Sequence, residues 1–430
     1  MEKFLKLPEV VLRSITENLE LRDAINILYG SRFLLKHLRA SIITTKISSF
    51  HVLSKVLTLF PKSSVQLLNC FSPLTNLIDF GAHLTEIHID NNHVSFSLPL
   101  NHMVRLRKLR CHQYNLFRIL KPDQLPPNLA YLEIAASGMD FSMFEKLTDL
   151  RVRWQNVYYG PTGFPSTLTR LVILGNVLLP DSKISGLDGL RSVEFCNLDD
   201  FFTIFESPGC QLKLTDLGIK LPHRHYVEAS KKLKFTENLN ARILANLRSI
   251  ESLTWQFAVI PLNFFDSMVC LKRIKILGFG EFVRGSFIEI PSVTEVEFDN
   301  VYHWQGIVKY FPNVRSLTLR LCEFENPLKK PLMDLEELEI MNCGVSDLGL
   351  KKWNCIMRSV YLRIIDCNIG PDVFEKITGE SVTCNFGLCY ASFGGVFQKM
   401  WGLRKLCLPD FSGFPITTFR QVPYVVGRCI

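Results

Sequence analysis

The segment Leu335-Glu-Glu-Leu-Glu-Ile340 carries apolar residues at its first, fourth and sixth positions. Alternate side chains of an extended strand point to opposite faces, so this spacing predicts that Leu338 and Ile340 enter a core. The residues between and beside them, Glu337 and Glu339, would then point outward. One such strand cannot bury its apolar face alone, and the segment therefore predicts a stack of similar strands.

The same apolar triplet occurs fourteen times along the chain, mostly about 21 to 24 residues apart. The copies begin at Leu84, Leu106, Leu129, Leu147, Leu168, Leu190, Leu214, Ile250, Leu271, Val293, Val314, Leu335, Met357 and Leu403. This period predicts an α/β fold of the leucine-rich repeat type, a solenoid with a curved parallel sheet and short or irregular convex segments.

Two weaker copies complete the register. Val382 lies within the long gap that precedes Leu403, and Val65 lies one period before Leu84. We therefore expect about 15 or 16 repeats within a solenoid over residues 46–410, followed by a C-terminal cap or tail over 411–430. A helix is predicted over 237–249, after a basic and aromatic loop at 221–235.

Residues 1–45 form a segment of a different kind. Within it, residues 6–38 do not follow the repeat period, and their apolar residues recur at helical spacing, which predicts short helices. Asp23 is suited to cap the second of these helices. So few residues cannot make a domain alone, and we expect their apolar faces to pack on something else.

The segment resembles the F-box in its Leu-Pro pair, its spaced apolar residues, its Asp23 and its Ser31-Arg32 pair. The resemblance implies that a Skp-family adaptor, which bridges to a cullin, docks on Leu7, Pro8, Leu12, Ile15, Leu19 and Ile27. It also implies that the chain is the substrate-recognition subunit of an SCF-type E3 ubiquitin ligase, with the repeats binding a protein substrate.

Two alternatives stay open. The N-terminal helices are also suited to be a plain cap on a leucine-rich repeat scaffold that has no link to a ligase. An F-box can also serve assembly rather than degradation, and the sequence does not separate these roles.

The outward strand positions are the expected binding face. Among the early repeats they offer a mixed set of charges with a slight positive excess, namely Lys108, Arg110, Arg151, Arg153 and Arg170 with Glu86, Asp90, Glu133 and Asp149. The substrate-binding candidates are Tyr131, Arg151, Arg153, Val172, Leu174, Cys196, Arg320, Tyr361 and Arg363.

Four of these candidates, Tyr131, Val172, Leu174 and Cys196, form a predicted exposed apolar patch; the other interpretation is that they are scattered or covered by a loop. In the later repeats Arg273 and Lys275 face the acidic residues of the next strand, which predicts cross-strand charge pairs that need no ligand.

No catalytic motif occurs in the chain, and we expect a non-enzymatic protein without cofactors. His223 and His225 lack a third ligand, so no metal site is predicted. Although the formal net charge is +8, charged residues of both signs are mixed along the chain, and no nucleic-acid partner is expected.

The thirteen cysteines are irregularly spaced, no Asn-x-Ser/Thr sequon occurs, and no apolar stretch is long enough to span a membrane. These features favour an intracellular protein, cytoplasmic or nuclear, that has no membrane contact.

Overall fold

The computed structural model divides the chain into two compact units, one of residues 1–193 and 199–212 and the other of residues 194–198 and 213–430. The structure describes residues 23, 26, 44–47, 50–59, 64–68, 81–89, 100–111, 122–135, 139–153, 163–174, 184, 187–196, 198–206, 212–220, 239–256, 264–278, 289–301, 304–323, 335–343, 360–365, 382–386, 403–408 and 424–427.

The first unit is built on seven parallel strands and the start of an eighth. They are β1 Thr44–Ile47, β2 Ser64–Leu68, β3 Leu84–Ile89, β4 Lys108–Cys111, β5 Tyr131–Ala135, β6 Asp149–Arg153, β7 Arg170–Leu174 and β8 Ser192–Phe195. From β1 to β7 each strand pairs in parallel with the next strand along the chain. Parallel neighbours need a long crossover, which the return segment of each repeat supplies.

The second unit continues the same pattern after the end of β8. Its strands are β9 Asp216–Ile219, β10 Ser252–Trp255, β11 Arg273–Leu277, β12 Glu295–Asp299, β13 Ser316–Arg320, β14 Glu337–Met341, β15 Val360–Ile365, β16 Val382–Phe386, β17 Leu403–Leu408 and β18 Tyr424–Gly427. Consecutive strands again pair in parallel throughout this unit.

The predicted leucine-rich repeat solenoid is confirmed. Strands β2 to β17 coincide with the fourteen triplets and the two weaker copies, and β1 and β18 add two strands that the triplet pattern did not mark. In β14 the burial alternates as predicted: Leu338 and Ile340 are at most 2% exposed, whereas Glu337 is exposed.

The described return segments are short helices and turns, as predicted for the convex side. The helices are α1 Phe50–Leu59, α2 Leu198–Glu206, α3 Ala241–Leu247 and α4 Trp304–Val308, with 3-10 turns at Pro122–Gln124 and Phe265–Ser267. Their aromatic side chains complete the core: Trp304 of α4 is fully buried, and its indole N–H donates to the Glu323 carbonyl at 3.0 Å.

A left-handed residue follows each of four consecutive strands. Gly278, Asn300, Leu321 and Asn342, which come directly after β11, β12, β13 and β14, have φ values of 85°, 56°, 49° and 51°. Asn300 and Asn342 suit this geometry, because asparagine tolerates the left-handed region better than most residues.

Three of these left-handed residues, Asn300, Leu321 and Asn342, are followed by a buried residue. Val301, Cys322 and Cys343 are at most 3% exposed. The Cys322 backbone N–H donates to Cys343 Sγ at 3.3 Å, and the Cys322 thiol donates to the Arg320 carbonyl at 3.2 Å. The two cysteines therefore link successive turns as buried thiols, and none of the five cysteines whose side chains the structure describes forms a disulfide.

Candidate protein-binding surface

The parallel register places the outward side chains of β3 to β7 on one face of the first unit. In this register Tyr131 stands beside Asp149 and Glu133 beside Arg151, while Asp149 stands beside Arg170. Sequence spacing alone placed these residues on one face, and the structure shows which of them are neighbours.

Glu133 is the best-satisfied charge on this face. Although the residue is only 2% exposed, its Oε2 accepts a hydrogen bond from the Tyr131 hydroxyl at 2.6 Å and lies 3.1 Å from Arg110 Nε. Burial, followed by the hydrogen bond to Glu133, raises the pKa of Tyr131, which stays a neutral hydrogen-bond donor. The trio is a closed polar network with little capacity left for a ligand.

Asp149 is held much more loosely than Glu133. Its carboxylate lies 3.6 Å from Arg151 Nε and 3.9 Å from an Arg170 terminal nitrogen, and both distances exceed that of a hydrogen bond. Burial raises the pKa of Asp149, and the two arginines oppose that effect. Attraction to these arginines therefore offsets only part of the free-energy cost of desolvating the carboxylate.

Three arginines, Arg151, Arg153 and Arg170, form what we call the arginine cluster. The Arg151 guanidinium lies 5.3 Å from the centre of the Tyr131 ring, within range of a cation–π contact. In each of the three, the Nε atom is shielded from solvent and has no hydrogen-bond partner. The cluster therefore combines high positive charge with unused donors.

The predicted exposed apolar patch is wrong for two of its four residues. Val172 is 3% exposed and Cys196 is 5% exposed, so neither side chain offers a contact surface. Val172 does occupy an outward register position, beside Arg151, yet its side chain is buried. Tyr131 and Leu174 remain partly exposed at the two sides of the cluster.

The predicted charge ladder of the second unit is confirmed for Lys275 but not for Arg273. Lys275 pairs with Glu297 at 2.7 Å across β11 and β12, and Arg320 of β13 approaches the same carboxylate at 3.3 Å. Arg273 stands beside Glu295 in the register, but its nearest acidic partner is Asp216 at 3.9 Å. Arg320, a substrate-binding candidate, is thus engaged within the sheet.

Other candidates are located only in part. Tyr361 and Arg363 of β15 stand beside Glu337 and Glu339 in the strand register. The adaptor-binding candidates Leu7, Pro8, Leu12, Ile15, Leu19 and Ile27 lie outside the described residues, as do His223 and His225. Asp23, the predicted helix cap, is helical and exposed.

Arg170 is the one member of the arginine cluster that the sequence did not select as a candidate. The sequence could have indicated that Arg170 belongs to this face, because Arg170 and Asp149 occupy equivalent positions of consecutive repeats. Within the described parts of the chain, no helix is long and apolar enough to cross a membrane, and no group of three or more His, Cys, Asp or Glu side chains is arranged to hold a metal ion.

Comparison with known proteins supplies no family for the chain. No protein-family model and no curated protein matches it. Among solved structures, an internalin (InlF) from Listeria monocytogenes is similar with a TM-score of 0.36 and 11% identity, over 76% of this chain and 88% of its own. The functional domain of InlJ from the same species, which includes a cysteine ladder, has a TM-score of 0.36 and 15% identity over 75% and 67% of the two chains.

A third similar structure, the circular leucine-rich repeat protein CroV588, has a TM-score of 0.40 and 13% identity, over 85% of this chain and 56% of its own. The description of this chain as a leucine-rich repeat solenoid accordingly rests on its own period and strand register.

Proposed function

We propose that this chain is a non-catalytic substrate receptor of an SCF-type E3 ubiquitin ligase, in which the solenoid binds a protein. The observation that carries the binding half is the continuous parallel register, which aligns outward side chains of successive repeats into an extended face within each unit. Solenoids of this kind typically bind partners through such faces.

The ligase half of the proposal is supported by the F-box resemblance of the N-terminal segment. Apolar side chains of short helices that enter a groove are a common mode of partner binding, and a few buried anchors supply most of the affinity. The adaptor would then bring the cullin to the complex, and the receptor would act by holding its substrate nearby. Such a complex operates in a reducing compartment, cytoplasmic or nuclear, and the free buried cysteines are compatible with one.

The test is copurification of the full chain with its cellular partners. Replacing Leu12 and Ile15 together by Ala is expected to abolish recovery of the Skp-family adaptor and the cullin, because two anchors are lost. A matched control, Arg315→Ala, removes an exposed side chain of the solenoid and is expected to leave recovery intact. Unchanged recovery with the double variant would rule out the ligase role.

The runner-up is a binding scaffold in which the N-terminal helices only cap the solenoid. It is favoured by the position of β1, because Thr44 and Thr45, the last residues of the segment 1–45, already belong to a strand that pairs with β2. Removing residues 1–40 separates the two: unfolding of the first repeats supports the cap, whereas a folded solenoid that has lost the adaptor supports the F-box. If the adaptor binds but depletion of this chain stabilises no protein, the F-box serves assembly rather than degradation.

A further inference from the structure

We propose that the arginine cluster of the first unit binds carboxylate side chains in an acidic segment of the partner protein. This inference rests on the proposed protein-binding role of the solenoid and is independent of the adaptor. It names the chemistry of the partner, and it assigns the contact to Arg151, Arg153 and Arg170.

The outward face of the first unit is positively charged. The outward positions of β3 to β7 carry five cations and three carboxylates, an excess of two positive charges, whereas those of β9 to β14 carry three cations and six carboxylates. The residues of the first set are Lys108, Arg110, Arg151, Arg153 and Arg170 with Glu86, Glu133 and Asp149. A carboxylate-rich segment is therefore attracted to the first face and repelled by the second.

Arg153 has only apolar neighbours in the strand register. Its neighbours in the strand register are Ala135 and Leu174, so no acidic side chain stands beside it in either adjacent strand. Its Nε is shielded from solvent without a hydrogen-bond partner, although an arginine can donate five hydrogen bonds. Because Nε is shielded, a carboxylate that approaches from outside the sheet would be bound by the terminal nitrogens of Arg153, in the bidentate geometry that guanidinium groups favour.

The carboxylate of Asp149 does not satisfy the donors of the arginine cluster. Asp149 lies 3.6 Å from Arg151 and 3.9 Å from Arg170, beyond hydrogen-bond range of both. Tyr131, which is itself fixed by Glu133, supports Arg151 through its ring. Arg151, which lies two residues before Arg153 on the same face of β6, therefore has an Nε without a hydrogen-bond partner, as does Arg170, which stands beside Asp149 at the other end of the strand register.

The spacing favours a polypeptide over a nucleic acid. Arg153 lies four register positions from Asp149, the residue beside Arg170, which is about 13 Å at about 3.3 Å per residue, so the arginines follow an extended peptide and accommodate carboxylates at separate points along it. Glu86, Glu133 and Asp149 interrupt the basic residues on this face, and they would repel a continuous phosphate backbone.

The test begins with a random peptide display library, selected on the full chain and, in parallel, on its Arg153→Glu variant. We expect peptides selected by the unaltered chain to be enriched in Asp and Glu, and this enrichment to be absent with the variant. Arg315→Glu is the matched control, since it makes the same charge change at an exposed arginine of the second unit and is expected to preserve the enrichment.

The selected peptides are then synthesised in three forms: unaltered, with Asp and Glu replaced by Asn and Gln, and with phosphoserine at the acidic positions. Arg153→Gln and Arg170→Gln are each expected to weaken binding of the unaltered form by about tenfold or more, as expected for the loss of a charge-assisted hydrogen bond. If the Arg153→Glu variant does not fold, these milder variants still test whether binding depends on the arginine cluster.

Each other outcome overturns the proposal. No Asp or Glu enrichment, or enrichment that persists with Arg153→Glu, removes the carboxylate contact. Arg153-dependent binding confined to the phosphoserine form would make the ligand a phosphorylated segment, and Arg153-dependent binding of single-stranded RNA alone would make it a nucleic acid. None of these results affects adaptor recovery, so failure here is distinguishable from failure of the ligase role.

Discussion

At the scale of single residues, Leu321 has a left-handed backbone conformation, which is unusual for leucine. Equivalent positions hold Gly278, Asn300 and Asn342, all in the left-handed region. Leucine pays a steric cost there, because its Cβ approaches the following carbonyl. Its side chain is also 54% exposed, so it recovers little of that cost by burial.

Replacing Leu321 by Asn is expected to stabilise the protein by about 1 kcal/mol, because the left-handed conformation is relieved and little apolar burial is lost. Urea unfolding of the two chains measures this difference. The reverse substitution at the equivalent turn, Asn342→Leu, is the control and is expected to destabilise by a similar amount. A destabilised Leu321→Asn variant would mean that the exposed leucine makes contacts that offset its backbone strain.

The strand period predicts which side chains point outward, but it does not predict which of them are exposed. Alternation placed Val172 outward correctly, yet it could not reveal that the side chain is 3% exposed, because exposure depends on the lengths and rotamers of side chains in adjacent strands. Cys196, which directly follows β8, is likewise buried, at 5% exposed. By contrast, Arg151 and Arg153 needed only the strand period, and both lie on the predicted face.

At the scale of elements, the strands were predictable and the return segments were much less so. A strand repeats its apolar triplet, and sixteen such signals reinforce one another. A return segment has no shared pattern, and its form depends on local capping and on the core it covers. Helix α3 is the exception, since Ala241–Leu247 falls inside the helix predicted over 237–249.

The start of α3 is fixed by a side-chain cap. Asn240 Oδ1 accepts hydrogen bonds from the backbone N–H groups of Arg242 at 3.1 Å and Ile243 at 3.0 Å. Asn240→Ala is therefore expected to lower the free energy of unfolding by about 1 kcal/mol, because both N–H groups lose their acceptor. Asn240→Ser, which keeps an oxygen acceptor, should retain most of the stability; an equal loss in both variants would show that the cap is not the cause. Urea unfolding distinguishes these outcomes.

At the scale of the whole molecule, the repeat architecture determines how far a local change propagates. Strands β13 and β14 each pair in the sheet with the strand before and the strand after, so the stability of the array is approximately a sum of repeat and nearest-neighbour contributions. In a solenoid of this kind, a cavity in one repeat weakens that repeat and those beside it. Distant repeats are expected to keep their hydrogen-exchange protection.

Leu338→Ala tests this locality, because Leu338 is 2% exposed in the core of β14. Its truncation is expected to cost about 2–5 kcal/mol. Amide hydrogen exchange should accelerate in β13, β14 and β15 while β4, β5 and β6 stay as protected as before. Met341→Ala, at an outward position of the same strand, is the control and should change exchange little. Uniform acceleration of exchange in both groups of strands would instead mean that the chain unfolds as one cooperative body. In that case, the global stability of each arginine-cluster variant would have to be measured before a loss of binding was attributed to charge.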